Sequence, residues 1–147
     1  MGSVLTEVVI DAGDPERLAA FWAEVLGWEH PEAEDGVVEI SGPDGSRPTL
    51  IFVPVEEAKA GKNRVHLDVN PTGCGQDEEL ARLLSLGAVE VDVGQGEQTW
   101  FVLADIEGNE FCLLRTRVGG APNPCRCPSS ANRRARRGGW PPTSSPA

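Results

Sequence analysis

Apolar residues recur along this chain at two spacings. Leu18, Phe21, Trp22, Val25 and Leu26 follow i, i+3, i+4, i+7, i+8 order, which predicts an amphipathic helix. Its ends carry their own signals: Asp14 as N-cap, Pro15 in the first turn, Glu16 near the positive dipole end, and Gly27 as the closing residue. A second helix is predicted over 76–86, with Leu80, Leu83 and Leu84 on one face and Gly87 after it. Shorter runs, β-branched or alternating, predict strands at 4–11, 37–40, 49–55, 64–69, 89–93, 99–104 and 110–115, with a short extended piece after Trp28. Gly42-Pro43-Asp44-Gly45 and Asp105-Ile106-Glu107-Gly108-Asn109 read as turns.

The order is β-α-β-β-β, given twice. Leu26-Gly27 and Leu86-Gly87 hold the same place in each half, about sixty residues apart. The expected fold is α+β: two repeated βαβββ units, about 4–55 and 64–117, forming curved mixed sheets with a cleft between them. Strand alternation assigns faces. Val8 and Ile10 should pack inward, leaving Glu7, Val9 and Asp11 on the cleft side. Val65, Leu67 and Val69 should pack, leaving Arg64, His66 and Asp68 on the cleft side. For 99–104 and 110–115, parity separates Trp100 and Val102 from Phe101 and Leu103, and Cys112 from Phe111 and Leu113, without saying which face is wet.

Charge then divides the chain. All 23 acidic residues precede position 118, and five of the 13 basic residues follow Gly119, so a formal net charge of −10 conceals a body of −15 and a tail of +5. Residues 119–147 hold six of the 12 prolines and no Val, Ile, Leu or Phe, a composition that predicts disorder. The expected organisation is a folded domain over 1–118 and a basic tail over 119–147. The tail is read as solvated and without a site; the alternative is a basic arm for an acidic partner. Nucleic acid is not expected on so acidic a body.

The apolar runs are too short for a spanning helix, so no membrane partner is expected. The Met1 end carries no basic-then-apolar leader pattern, which makes the cytoplasm, with reduced thiols, the expected location. Cys125-Arg126-Cys127 lacks zinc-knuckle spacing.

Three segments carry a family resemblance. Asp14-Pro15-Glu16-Arg17-Leu18-Ala19-Ala20-Phe21-Trp22 with Val25-Leu26-Gly27-Trp28 resembles the first helix of the vicinal oxygen chelate superfamily, the glyoxalase / bleomycin-resistance / extradiol-dioxygenase group. Lys62-Asn63-Arg64-Val65-His66-Leu67-Asp68-Val69 resembles its repeat-opening strand. Ala104-Asp105-Ile106-Glu107-Gly108-Asn109-Glu110-Phe111 resembles its last hairpin, with Ile106 where Pro is usual. Catalytic members hold a divalent metal on the first and fourth strands of each repeat. Carried over, the resemblance implies Glu7, Phe52, His66 and Cys112 at those positions.

Phe52 cannot bind a metal. The expectation is therefore a small-molecule binder without a complete metal site, in which His66 and Glu7 are the chemical groups and Phe52, Arg64, Asp68, Trp100 and Cys112 line the ligand. Phe52 and Trp100 would form an aromatic wall. The alternative is a metal-dependent lyase or dioxygenase, with zinc, nickel, manganese or iron on Glu7, His66 and Cys112. A third reading is a non-catalytic interaction module. A different register aligns Val8-Val9-Ile10-Asp11 with Val65-His66-Leu67-Asp68 and would pair Glu7 with Arg64 instead. A homodimer through strand edges is expected.

Overall fold

The computed structural model describes residues 1–29 and 33–119. The expectations for the tail beyond Gly119 lie outside the described residues.

The first repeat runs β1 (Glu7–Ala12), α1 (Pro15–Leu26), β2 (Val38–Ile40) and β3 (Thr49–Pro54). The second runs β4 (Asp68–Val69), α2 (Gln76–Leu86), β5 (Val89–Glu90), β6 (Phe101–Ala104) and β7 (Glu110–Leu113). Each forms a mixed sheet, ordered β1-β3-β2 and β4-β7-β6-β5. In both, the first strand runs parallel to the last, and the remaining ladders are antiparallel. The missing partner in the first sheet is a single bridge, Glu29 to Ser41. The α+β duplication expected from the sequence is thus present, with several strands shorter than their apolar runs.

The helices form for the reasons their ends announce. The Asp14 side chain accepts from the Arg17 N–H at 3.1 Å, filling one orphan donor of α1. Gly27 closes it in the left-handed region, at φ 67°. At α2, Glu78 accepts from the Gly75 N–H at 3.2 Å. Gly87 closes this helix at φ 110°, and an added Cβ there would lie 3.1 Å from Ile106, so both backbone and space require glycine.

One core joins the repeats. Leu18, Phe21, Trp22, Val38, Ile40, Leu50 and Phe52 of the first repeat cluster with Leu83, Leu103, Phe111 and Leu113 of the second. Phe111 stacks edge-on with Trp22, centroids 5.1 Å apart. Trp22 Nε1–H donates to Asp105 at 3.1 Å, pairing an indole that is otherwise sealed from water. Glu107 accepts from the Gly13 and Asp14 N–H groups at 2.9 and 2.8 Å, so the last hairpin caps the first helix. Arg82 pairs with Glu79 at 2.6 Å and donates to the Glu24 and Val25 carbonyls at the end of α1. Hydrogen bonding to Glu79 raises the Arg82 pKa, and burial opposes that rise.

Two expectations of packing are corrected. Val65 is 79% exposed, because the regular strand begins only at Asp68; Leu67 and Val69 pack as expected. Leu84 is exposed, since the buried stripe of α2 passes through Leu80 and Leu83 and leaves the next position outward. Among the described residues, no helix is long and apolar enough to cross a membrane.

Candidate functional site

Strand pairing aligns the two repeats residue by residue. Glu29 and Val89 each lie two positions beyond a helix-closing glycine; Glu29 bridges Ser41 and Val89 pairs with Ala104. From that anchor, the antiparallel ladders match Glu39–Ile51 with Val102–Cys112. The parallel ladders then match Val9 with Asp68, and Glu7 with His66 two residues earlier. This register pairs Glu7 with His66 and not with Arg64.

The fourth-strand position of the first repeat is therefore Ile51. The expectation that Phe52 fills it is corrected: Phe52 is 0% exposed and belongs to the shared core. One step along a strand reverses the face. The aromatic wall of Phe52 and Trp100 does not form for the same reason. Trp100 is exposed and lines two open clefts. One, of about 670 Å³, it shares with Gln76, Phe101 and Arg115. The other, of about 600 Å³, it shares with Val91, Gln95 and Val102.

On the second sheet, the face turned away from the shared core carries a convergent group. Asp68 and Cys112 are neighbours across the β4–β7 ladder. His66 lies two residues before Asp68 on the same side. Cys112 Sγ is 3.9 Å from His66 Nδ1, and Asp68 Oδ1 is 3.7 Å from that same nitrogen. The donor atoms of all three lie within 4.8 Å of one another. His66 and Asp68 are open to solvent, while Cys112 is buried. Burial pushes the Cys112 thiol up to about 11; the Asp68 carboxylate adds to the rise, and Lys62 opposes it. At neutral pH Cys112 is therefore a thiol.

Glu7 stands outside this group, exposed on β1. Arg64 is exposed in the segment leading to His66. Asp68 also borders a cavity of about 520 Å³ with Asn70, Cys74, Glu79, Arg82 and Val118. None of these spaces includes His66 or Cys112, so chemistry rather than cavity size marks the site. The family resemblance puts His66 and Cys112 in one set with Glu7, while strand parity gives Asp68 only a lining role. Its part in the cluster depends on the long-range β4–β7 register.

Near the site, Glu110 pairs with Lys59 at 3.1 Å and accepts from the Asn63 N–H at 3.0 Å. Burial would raise the Glu110 pKa, but the Asn63 and Lys59 bonds outweigh it and hold the carboxyl below its ordinary value. This pair fixes the segment that leads to His66.

Comparison with known proteins agrees with this architecture. A family profile described as "Glyoxalase-like domain" matches residues 7–114. No match was found among curated proteins. Fosfomycin resistance protein FosX from Mesorhizobium loti superimposes with a TM-score of 0.60 at 16% identity, covering 78% of this chain and 92% of that one. A glyoxalase/bleomycin resistance protein/dioxygenase family enzyme from Burkholderia phytofirmans gives 0.56 at 18% identity, covering 76% and 97%. A mutant form of FosX from Listeria monocytogenes, complexed with Mn(II) and dihydroxypropylphosphonic acid, gives 0.55 at 14% identity, covering 78% and 90%. At these identities the likeness is one of fold. The duplicated βαβββ architecture and the family match together make this chain a member of the glyoxalase-like domain family of the vicinal oxygen chelate superfamily.

Proposed function

We propose that this domain binds a small organic molecule on the open face of its second repeat. The observation that carries this reading is the convergence of His66, Asp68 and Cys112 there. A neutral thiol, an imidazole and a carboxylate offer both donors and acceptors. Trp100, immediately before β6, adds an exposed apolar surface at one end of that strand. Lys62, which acts electrostatically on Cys112, and Arg64 supply positive charge on an otherwise acidic body. A ligand carrying adjacent oxygens and a partly apolar body suits this lining.

A second reading is metal-assisted chemistry on such a ligand, favoured by three potential metal donors in one place. A bound divalent ion would supply Lewis-acid polarisation of a substrate oxygen. One FosX structure is described with Mn(II); here a sulfur donor takes part instead.

A homodimer is part of the proposal. The outer edges of β1 and β4 carry no partner strand among the described residues, and Val4, Leu5, Val9 and Val65 are exposed. A solution mass of one chain would remove that part. Cys74 and Cys112 form no disulfide with each other, which fits a reducing compartment such as the cytoplasm.

The binding reading is tested by amide NMR with a library of small oxygenated fragments in the presence of a chelator. Shifts should cluster at residues 66–68, 100–102 and 112. Hits that cluster instead at 7–11 and 49–53, or on no sheet face, would overturn it.

A further inference from the structure

Cys112 and Asp68 approach the same atom of His66. In a hydrogen-bonded Cys-His-Asp relay, thiol and carboxylate occupy opposite ring nitrogens, so that one is activated through the other. Here both face Nδ1, at 3.9 and 3.7 Å. That arrangement does not relay a proton; three donors around one point form a chelate. Tetrahedral zinc, with its usual bond lengths, sets sulfur about 3.6 Å from nitrogen and nitrogen about 3.4 Å from oxygen. The two separations to Nδ1 need to close by a few tenths of an ångström, and all three donor atoms lie within 4.8 Å of one another. His66 and Asp68 are exposed, which leaves a side open for a further ligand.

The family resemblance implied Glu7 in the metal set, and the geometry replaces it with Asp68. Register explains the exchange. Asp68 stands directly opposite Cys112 on the adjacent strand, whereas the matching position of the first repeat is Val9. A thiolate among the donors also changes which ion is preferred. Soft sulfur favours zinc-class ions, whereas carboxylate, carbonyl and water oxygens suit manganese and magnesium.

We infer that Asp68, His66 and Cys112 form a thiophilic divalent-cation site, selective for zinc or cobalt over manganese, with Asp68 and not Glu7 as the carboxylate ligand. This inference rests on the proposed reading of the same face as the binding site. On loading, the metal–sulfur bond forms, the sulfur–hydrogen bond breaks, and one proton passes to solvent.

The test is a cobalt(II) titration of the full-length chain carrying Cys125→Ser and Cys127→Ser, which removes the tail thiols as competing ligands. One equivalent should produce a thiolate-to-cobalt charge-transfer band in the near ultraviolet. Zinc should bleach it, and equimolar manganese should not. Cys112→Ser should abolish the band, and Asp68→Asn should weaken cobalt binding at least tenfold. Glu7→Gln should leave the titration unchanged. His66→Ala, at an exposed position, gives a second loss-of-site variant if Cys112→Ser fails to fold, with circular dichroism as the control. A band that survives Cys112→Ser, or a Glu7→Gln loss equal to that of Asp68→Asn, would overturn the inference. So would the absence of any band. Because the fragment map is recorded with chelator, it stands or falls separately.

Discussion

On the open face of the first repeat, Glu7, Val9 and Ile51 occupy the positions that His66, Asp68 and Cys112 hold in the second. The strand order and the glycine stops of the helices are shared. Only the second face brings together a nitrogen, an oxygen and a sulfur donor. The three matching positions of the first face hold one carboxylate and two aliphatic side chains, and an isoleucine cannot coordinate or donate. A duplicated fold supplies two equivalent platforms; in the proposed function, three side chains decide which one holds a ligand.

The platforms differ in chemistry but not in stability, because they share a core. The sharpest attack on that statement is Phe111→Ala. Phe111 belongs to the second repeat yet stacks on Trp22 and Phe21 of the first. The loss should be about 3–5 kcal/mol, as for other large-to-small core changes. Denaturant unfolding should remain a single transition. Two separated transitions would mean that the repeats are independent after all.

A smaller effect is expected from Asp105→Ala, which leaves the buried Trp22 indole N–H without its acceptor and removes the bonds that shape the last turn. About 1–3 kcal/mol should be lost, measured by thermal or chemical unfolding. Glu107→Gln should cost less, since an amide oxygen still accepts from Gly13 or Asp14 while the charge at the helix start is gone.

A modest pH effect is expected at Glu110. Its folded pKa lies below the unfolded value, so its contribution is present above the unfolded value of about 4.3 and fades as pH falls through the folded one. Glu110→Gln should flatten the acid limb of the stability curve and leave the alkaline limb alone. An acid limb unchanged by that substitution would remove the Lys59–Glu110 pair from the explanation.

Much of this was legible in the sequence. The stripe Leu18, Phe21, Trp22, Val25, Leu26 and the caps at Asp14 and Gly27 are local signals, read within one helix. The duplication is also local, twice over. What was not legible depends on partners far away in the chain. Leu50-Ile51-Phe52-Val53 is apolar throughout, so alternation could not say that Phe52 faces the core and Ile51 the open side. Val65 reads as a strand residue, but no neighbouring strand reaches it. Asp105 and Glu107 look like ordinary turn residues until α1 arrives to use them, more than eighty positions away. The cluster itself required the β4–β7 register, which alone puts Asp68 beside Cys112.

The asymmetry between the faces is tested most directly by one paired affinity measurement. For any fragment that maps to residues 66–68 and 112, the dissociation constant would be measured by calorimetry in His66→Ala and Glu7→Gln chains. His66→Ala is expected to weaken binding at least tenfold, about 1.4 kcal/mol, and Glu7→Gln less than twofold. A Glu7→Gln loss as large as that of His66→Ala would contradict a site confined to the second repeat.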